Sequence, residues 1–161
     1  MSGIAPETLA GIIRTHFAEA FEGAQGEWTW FVNHGPGAGI LGALDALTAE
    51  QASREPPGGG PTAAAHTEHL CWWLANVNGV TRGEAWNPDW SESWSVRAVN
   101  EEEWRELRGA LKREYALVRE ALSESLLEQA DPNTLTGLLA MTPHAAHHLG
   151  SLRQLRRAIG A

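Results

Sequence analysis

The segment that best indicates the fold is His144-Ala-Ala-His-His-Leu-Gly-Ser-Leu-Arg-Gln154, close to the end of the 161-residue chain. It contains His144 and His148, four residues apart, with His147 between them. Residues four apart share one face of an α-helix, so both imidazoles of such a pair can bind one cation without bending the helix. Apolar residues recur at helical spacing on both sides of the stretch, and they predict a helix over about residues 134–159.

Three earlier segments show the same helical spacing of apolar residues, and no strand pattern competes with it. The first runs from Pro6 to about Glu22, and its predicted buried stripe is Leu9, Ile12, Ile13, Phe17, Ala20 and Phe21. The second starts after the capping residue Thr62 and reaches about Val80. The third starts near Glu101 and is closed by Asp131-Pro132-Asn133.

Two smaller features complete the prediction of local structure. A short helix is expected from about Ile40 to Ala52, after an irregular glycine-rich segment. Pro143 lies within the last helical segment, where it either kinks the helix or marks a fresh start with Thr142 as cap.

The lengths of the connections suggest a topology for these helices. Only a few residues join the third and fourth long helices, which makes them antiparallel, whereas about 19 residues join the second and third. Such a connection is long enough to recross a bundle and leave those two helices parallel. We therefore predict an all-α protein: a four-helix bundle with a long crossover between helices two and three, forming a single domain over residues 1–161.

Composition excludes several classes of function. The formal net charge is −8 and the pI is near 5.3, which disfavours binding to nucleic acid or to an anionic membrane surface. No apolar run is long enough to span a bilayer, and the start of the chain lacks the features of a secretory signal. We therefore expect a soluble, cytoplasmic protein. The single cysteine, Cys71, is interpreted as a small core residue rather than a nucleophile.

Five of the seven histidines fall into two groups on two predicted helices. His66 and His69 lie on the second long helix, and the group of His144, His147 and His148 lies on the fourth. One such group alone would be weak evidence, since histidine is tolerated on protein surfaces. Two groups in one predicted core favour a metal site, because clustered buried imidazoles repel one another when protonated and need partners when neutral. Imidazole suits zinc, nickel or iron.

The motif is not that of a zincin peptidase. That class needs a glutamate directly after the first histidine to activate water, and Ala145 follows His144 here. Peptidase chemistry is therefore disfavoured.

With these segments in view, the chain resembles the DinB-like family of four-helix-bundle metalloproteins, which includes mycothiol- and bacillithiol-dependent transferases and isomerases. The block Pro61–Leu70 is similar to the family's helix-two motif, in which a small hydroxyl residue precedes a metal-binding histidine by seven; Thr62 and His69 have that spacing. The segment from Gly83 to Trp94 resembles the crossover of one subgroup, and His144–Gln154 resembles the family's His-x-x-x-His-x-Gly signature.

The resemblance implies one divalent metal ion bound by His69, His144 and His148. His66, His147 and Glu68 are then candidates for residues that support the metal ligands. His66 and Glu68 are also the nearest candidates for a general base, although the sequence identifies no catalytic residue. Three protein ligands leave a fourth position open to water or substrate. The expected function is a metal-dependent transferase or hydrolase-like activity on a small molecule, with a low-molecular-weight thiol as a candidate cosubstrate.

Two alternatives to an enzyme stay open at this point. One is a non-catalytic metal-binding or ligand-binding protein of the stress response, and another is a bundle whose histidines bind no metal. Trp86, Trp90 and Trp94 either line the mouth of a pocket or, as we favour, fasten the crossover onto the bundle. Helix bundles also often pair through exposed faces, so a homodimer is considered as well.

Overall fold

The computed structural model describes residues 3–161, and within this range it contains α-helices and no strand. The seven helices are α1 (Pro6–Glu22), α2 (Ile40–Asp45), α3 (Ala49–Ala52), α4 (Ala63–Thr81), α5 (Glu101–Ala121), α6 (Glu124–Gln129) and α7 (Pro132–Ile159). A single 3-10 turn covers Trp90–Glu92 in the connection between α4 and α5. The predicted all-α fold is confirmed.

The four long helices α1, α4, α5 and α7 surround one apolar core. Aromatic rings join α1 to α5, since Phe21 stacks on Tyr115 with ring centroids 4.6 Å apart and Phe17 lies beside both. Trp104 of α5 is fully buried, and its indole N–H donates to the carbonyl of Leu47. The short helices α2 and α3 therefore belong to the same core as the bundle.

The starts of the long helices follow from capping side chains. Thr62 accepts a hydrogen bond from the N–H of Ala65 at the start of α4, as predicted. Asn100 and Glu103 form a reciprocal capping box at the start of α5. α1 has the predicted bounds, but the predicted stripe is wrong at Ile12, which is 42% exposed on the outer face of the helix.

Two predicted helices are in fact divided. The segment from Ile40 to Ala52 forms two helices because Thr48 caps α3 with its own capping box, which requires an extended backbone at Thr48. The third long helix does not continue to Asp131. It ends at Ala121, and Ser123 caps the separate helix α6.

The last helix is one continuous element. It begins at Pro132, two residues before the predicted start, because the Asp131 side chain accepts a hydrogen bond from the N–H of Thr134. Pro143 lies inside it without ending it, so the fresh start at Thr142 is wrong. Pro143 is exposed, and its ring therefore does not disturb the core face of the helix.

Residues 82–100 connect α4 to α5, and this connection is named the crossover after its predicted path. Thr62, at the start of α4, donates to the carbonyl of Arg97 just before α5, and Asn78, near the end of α4, donates to Glu114 in the second half of α5. These two contacts favour the predicted parallel crossover, which remains a prediction. Across residues 3–161, every helix is too short or too polar to cross a lipid bilayer.

Candidate metal centre

The structure brings His69 of α4 together with His144 and His148 of α7. One potential ligand atom from each of the three residues lies within 4.8 Å of those from the other two. His69 and His148 are 4% and 3% exposed, and His144 is half-buried. The three histidines that the family resemblance singled out therefore form one buried cluster, called here the histidine triad.

Each histidine of the triad has Nε2 available for a ligand. The Nδ1 atom of His69 is engaged with the hydroxyl of Ser93 at 2.5 Å, and the Nδ1 atom of His148 lies 3.0 Å from Nδ1 of His66. The Nε2 atom of His144 is buried without a hydrogen-bond partner. A buried polar atom without a partner is uncommon in proteins and calls for a specific explanation such as a bound ion.

The triad fits a divalent cation by its chemistry and its dimensions. Neutral imidazoles are good ligands for zinc, nickel and iron. A tetrahedral zinc ion with nitrogen ligands at about 2.0–2.1 Å holds those nitrogens roughly 3.4 Å apart. Since the ligand atoms lie within 4.8 Å of one another, modest side-chain rotations would close the site.

Burial keeps these histidines neutral. It lowers the pKa of His69 and of His66 to about 4, with a smaller effect from neighbouring histidines. The same causes lower the pKa of His148 to about 2 and also lower the pKa of His144. Near neutral pH each ring is therefore neutral and keeps one nitrogen with a free lone pair, as metal binding requires.

His66 and His147 differ in their relation to the triad. His66 is buried, and its Nδ1 contacts His148, so one of these two nitrogens must donate a proton to the other. His147 is exposed, with its ring 5.3 Å from that of His148. This geometry suits His66 as a residue that orients His148, and it suits a non-ligand role for His147.

Residues 93–95 of the crossover close one side of the triad. Trp94 stacks on His69 with ring centroids 4.2 Å apart. The two carboxylate oxygens of Glu68 hold the segment, since one accepts a hydrogen bond from the backbone N–H of Trp94 and the other from the hydroxyl of Ser95. Trp94 has a positive φ of 68°, which is strained for a bulky residue and is kept by these contacts. Glu68 therefore fastens the crossover to α4.

Some of the other aromatic residues around the site pack against their neighbours, and others line a pocket. Trp73 stacks on His144 with centroids 4.2 Å apart, and Trp90 packs against Trp72 at 4.9 Å. Trp86 is half-exposed and lines a pocket. Both interpretations of the tryptophans in the crossover therefore apply, each to different residues.

A pocket of about 540 Å³ adjoins the triad at His144. Its inner wall is apolar and includes Trp73, Val77, Leu138 and Met141. Its polar residues are Thr81, Glu84, Asp131, Asn133 and Thr134. A volume of this size is typical of sites for small molecules.

Sequence reasoning overlooked the serine hydroxyl. Ser93 lies 24 residues after His69 in an irregular segment, so no spacing rule could have paired them. Cys71 is half-buried, and burial raises the pKa of its thiol to about 11, which agrees with a packing role.

Comparison with protein families identifies the class of this fold and site. The family model described as DinB superfamily matches residues 38–152, more than two thirds of the chain, and the match includes the whole histidine triad. The chain therefore belongs to the DinB superfamily. No curated protein and no solved structure matches it significantly.

Proposed function

We propose that the protein binds one divalent metal ion through His69, His144 and His148 and acts as a metal-dependent transferase or hydrolase-like enzyme on a small molecule. The observation that carries this proposal is the convergence of three neutral imidazoles on one point, with Nε2 of His144 buried and without a partner. Three histidine ligands are typical of catalytic metal sites, which keep one position for water or substrate.

The bound metal ion would supply Lewis-acid chemistry and lower the pKa of a water or thiol at that position. The chain itself would fix the ligands. With a metal ion on Nε2 of His69, Ser93 would accept the Nδ1 proton of His69, and His66 would accept the Nδ1 proton of His148 in the same way. The stacked rings of Trp73 and Trp94 exclude water from two faces of the triad.

The pocket beside His144 supports a small organic substrate. Its apolar wall would bind the hydrophobic part of a substrate, and its polar rim would orient the rest. Because His144 both lines this pocket and belongs to the triad, a reacting group bound beside it would lie next to the metal ligands. A low-molecular-weight thiol remains the proposed cosubstrate.

Glu68 is a poor choice for the general base that such a reaction needs. Both of its carboxylate oxygens already accept hydrogen bonds from the crossover. We assign it a positioning role, since its removal would release Trp94 from its stack on His69. His66 touches the triad directly and stays the nearer candidate for proton transfer.

Metal content tests the first half of the proposal. Protein purified without a histidine tag and supplied with zinc, nickel or iron should contain close to one ion per chain by elemental analysis. His148→Ala should hold less than about 0.2 ion per chain, because two imidazoles chelate far more weakly than three. His147→Ala is the matched control on the same helix, and it should retain the metal. A wild-type protein as empty as His148→Ala would refute the proposal.

Turnover tests the second half. The metal-loaded protein should convert an electrophilic acceptor in the presence of one member of a thiol panel, and His148→Ala should not. Saturable binding of a thiol or acceptor without any product, across the panel, would instead identify a non-catalytic binding protein. The two halves can therefore fail separately.

A further inference from the structure

A second cleft lies farther along α7, apart from the histidine triad. It has a volume of about 330 Å³ and is formed by residues 33–38 of the loop after α1 together with Arg153, Arg156, Arg157 and Ala161. Twelve residues separate His144 from Arg156, or about 18 Å along a helix axis. None of the residues lining this cleft belongs to the triad or lines the pocket beside it.

The cleft concentrates positive charge in an acidic protein. The chain has 12 lysines and arginines against 20 acidic residues, yet three arginines face this one space and no acidic side chain lines it. Six ion pairs occur among residues 3–161, and they use other cations: Arg54, Arg82, Arg105, Arg108, Lys112 and Arg119. The arginines of the cleft have no carboxylate partner within the described part of the chain.

One of the three arginines is held in place by the loop. The guanidinium of Arg153 donates to the carbonyl of Ala38, which fixes the loop against α7. The Nε atom of Arg156 is buried without a hydrogen-bond partner, and Arg156 as a whole is half-buried. A buried guanidinium nitrogen without an acceptor is costly and therefore uncommon.

Capping of the helix end does not account for this arrangement. Arginines in a last turn commonly complement the negative end of a helix. Here the backbone N–H groups of Gly160 and Ala161 already reach the last carbonyls of α7, and Arg54 donates to the carbonyl of Ile159. The helix end therefore has donors of its own, which leaves Arg156 and Arg157 available for a ligand.

We propose that this cleft binds a dianionic oxyanion of the phosphate type, either free or as the phosphoryl group of a small molecule. Guanidinium groups donate paired, planar hydrogen bonds to phosphate oxygens, and three of them balance a dianion better than a monoanion. His34 lines the same cleft and supplies a further donor. The proposal is independent of the metal centre, since the two sites share no residue.

Calorimetric titration with inorganic phosphate tests the proposal. The wild-type protein should bind one phosphate per chain with millimolar affinity, and Arg156→Gln and Arg157→Gln should each weaken binding by roughly tenfold or more. Arg105→Gln is the matched control because it removes the same charge from an exposed site on α5. It should change the dissociation constant by less than about twofold. Should Arg156→Gln fail to fold by circular dichroism, the exposed Arg157 carries the test alone.

Two further measurements complete the test. His148→Ala should bind phosphate as tightly as the wild type, and a loss there would place the phosphate on the metal centre and overturn the proposal. Succinate should bind at least about tenfold more weakly than phosphate, because its charge is spread over two separate carboxylates. Equal binding of succinate, equal weakening by Arg105→Gln, or no saturable binding of phosphate by the wild type would also overturn it. Phenyl phosphate binding more tightly than inorganic phosphate would show that the phosphoryl group belongs to a larger ligand.

Discussion

Replacing Ser93 by alanine should weaken metal binding although Ser93 is not a ligand. Its hydroxyl lies 2.5 Å from Nδ1 of His69, and both side chains are buried, at 7% and 4% exposure. A metal ion on Nε2 of His69 requires the proton to be on Nδ1, where Ser93 accepts it. Without metal, His69 can instead carry its proton on Nε2, so the missing acceptor penalises mainly the metal-bound state.

The size of the effect follows from the cost of a buried donor without an acceptor, about 1–3 kcal/mol. Since about 1.4 kcal/mol corresponds to a tenfold change in affinity, Ser93→Ala should weaken zinc binding by roughly tenfold to a hundredfold. Competition with a chromophoric chelator measures the dissociation constant directly. Ser91→Ala, which alters an exposed serine of the same crossover, should bind zinc as the wild type does. If the zinc affinities of Ser93→Ala and Ser91→Ala agreed within about twofold, the argument from the histidine tautomer would be wrong.

Three further changes test the fold and the electrostatics. Thr62→Ala should lower the free energy of unfolding in urea by about 1 kcal/mol through loss of the cap of α4, whereas Thr62→Ser should not; equal values would contradict the capping role. Glu19→Ala should lower the free energy of unfolding by roughly 3 kcal/mol in the same assay, because one buried carboxylate oxygen of Glu19 accepts hydrogen bonds from the three N–H groups of residues 30–32. A decrease below about 0.5 kcal/mol would refute this role. The metal-free protein should lose stability as the pH falls below 6.5, the ordinary pKa of histidine. The loss should continue down to about pH 4 for His66 and towards pH 2 for His148. In that range the unfolded chain binds more protons than the folded chain. Thermal melts at pH 7 and pH 4.5 should therefore differ less for His66→Phe than for the wild type, and an unchanged difference would contradict the assignment.

Much of the helical framework could be predicted because its signals are local. Pro6, Thr62 and the acidic run at 101–103 mark helix starts through first-turn geometry and capping, and the structure begins helices at these places. The breaks after Asp45 and Ala121 were overlooked because the apolar spacing continues across them. Leu47 and Leu122 are both buried in the core although the helix has stopped.

The metal site was predictable only in part, because only some of its contacts come from a local sequence pattern. His144 and His148 share a helix face, so their spacing alone brings them together, and the family resemblance added His69. Ser93 meets His69 through a long irregular connection, which leaves no periodic signal. Glu19 was also overlooked, since an acidic residue on an apolar helix stripe does not show that it holds the loop at residues 30–32.

Because Trp94 stacks on His69, the fluorescence of Trp94 should report the state of the histidine triad. An indole whose centre lies 4.2 Å from that of the imidazole should change its fluorescence when the imidazole gains a proton or a cation. A paramagnetic ion such as nickel should quench the emission of Trp94 more strongly than zinc does. Comparison with Trp94→Phe would isolate this signal from the other seven tryptophans, so occupancy could be followed in real time without any added dye.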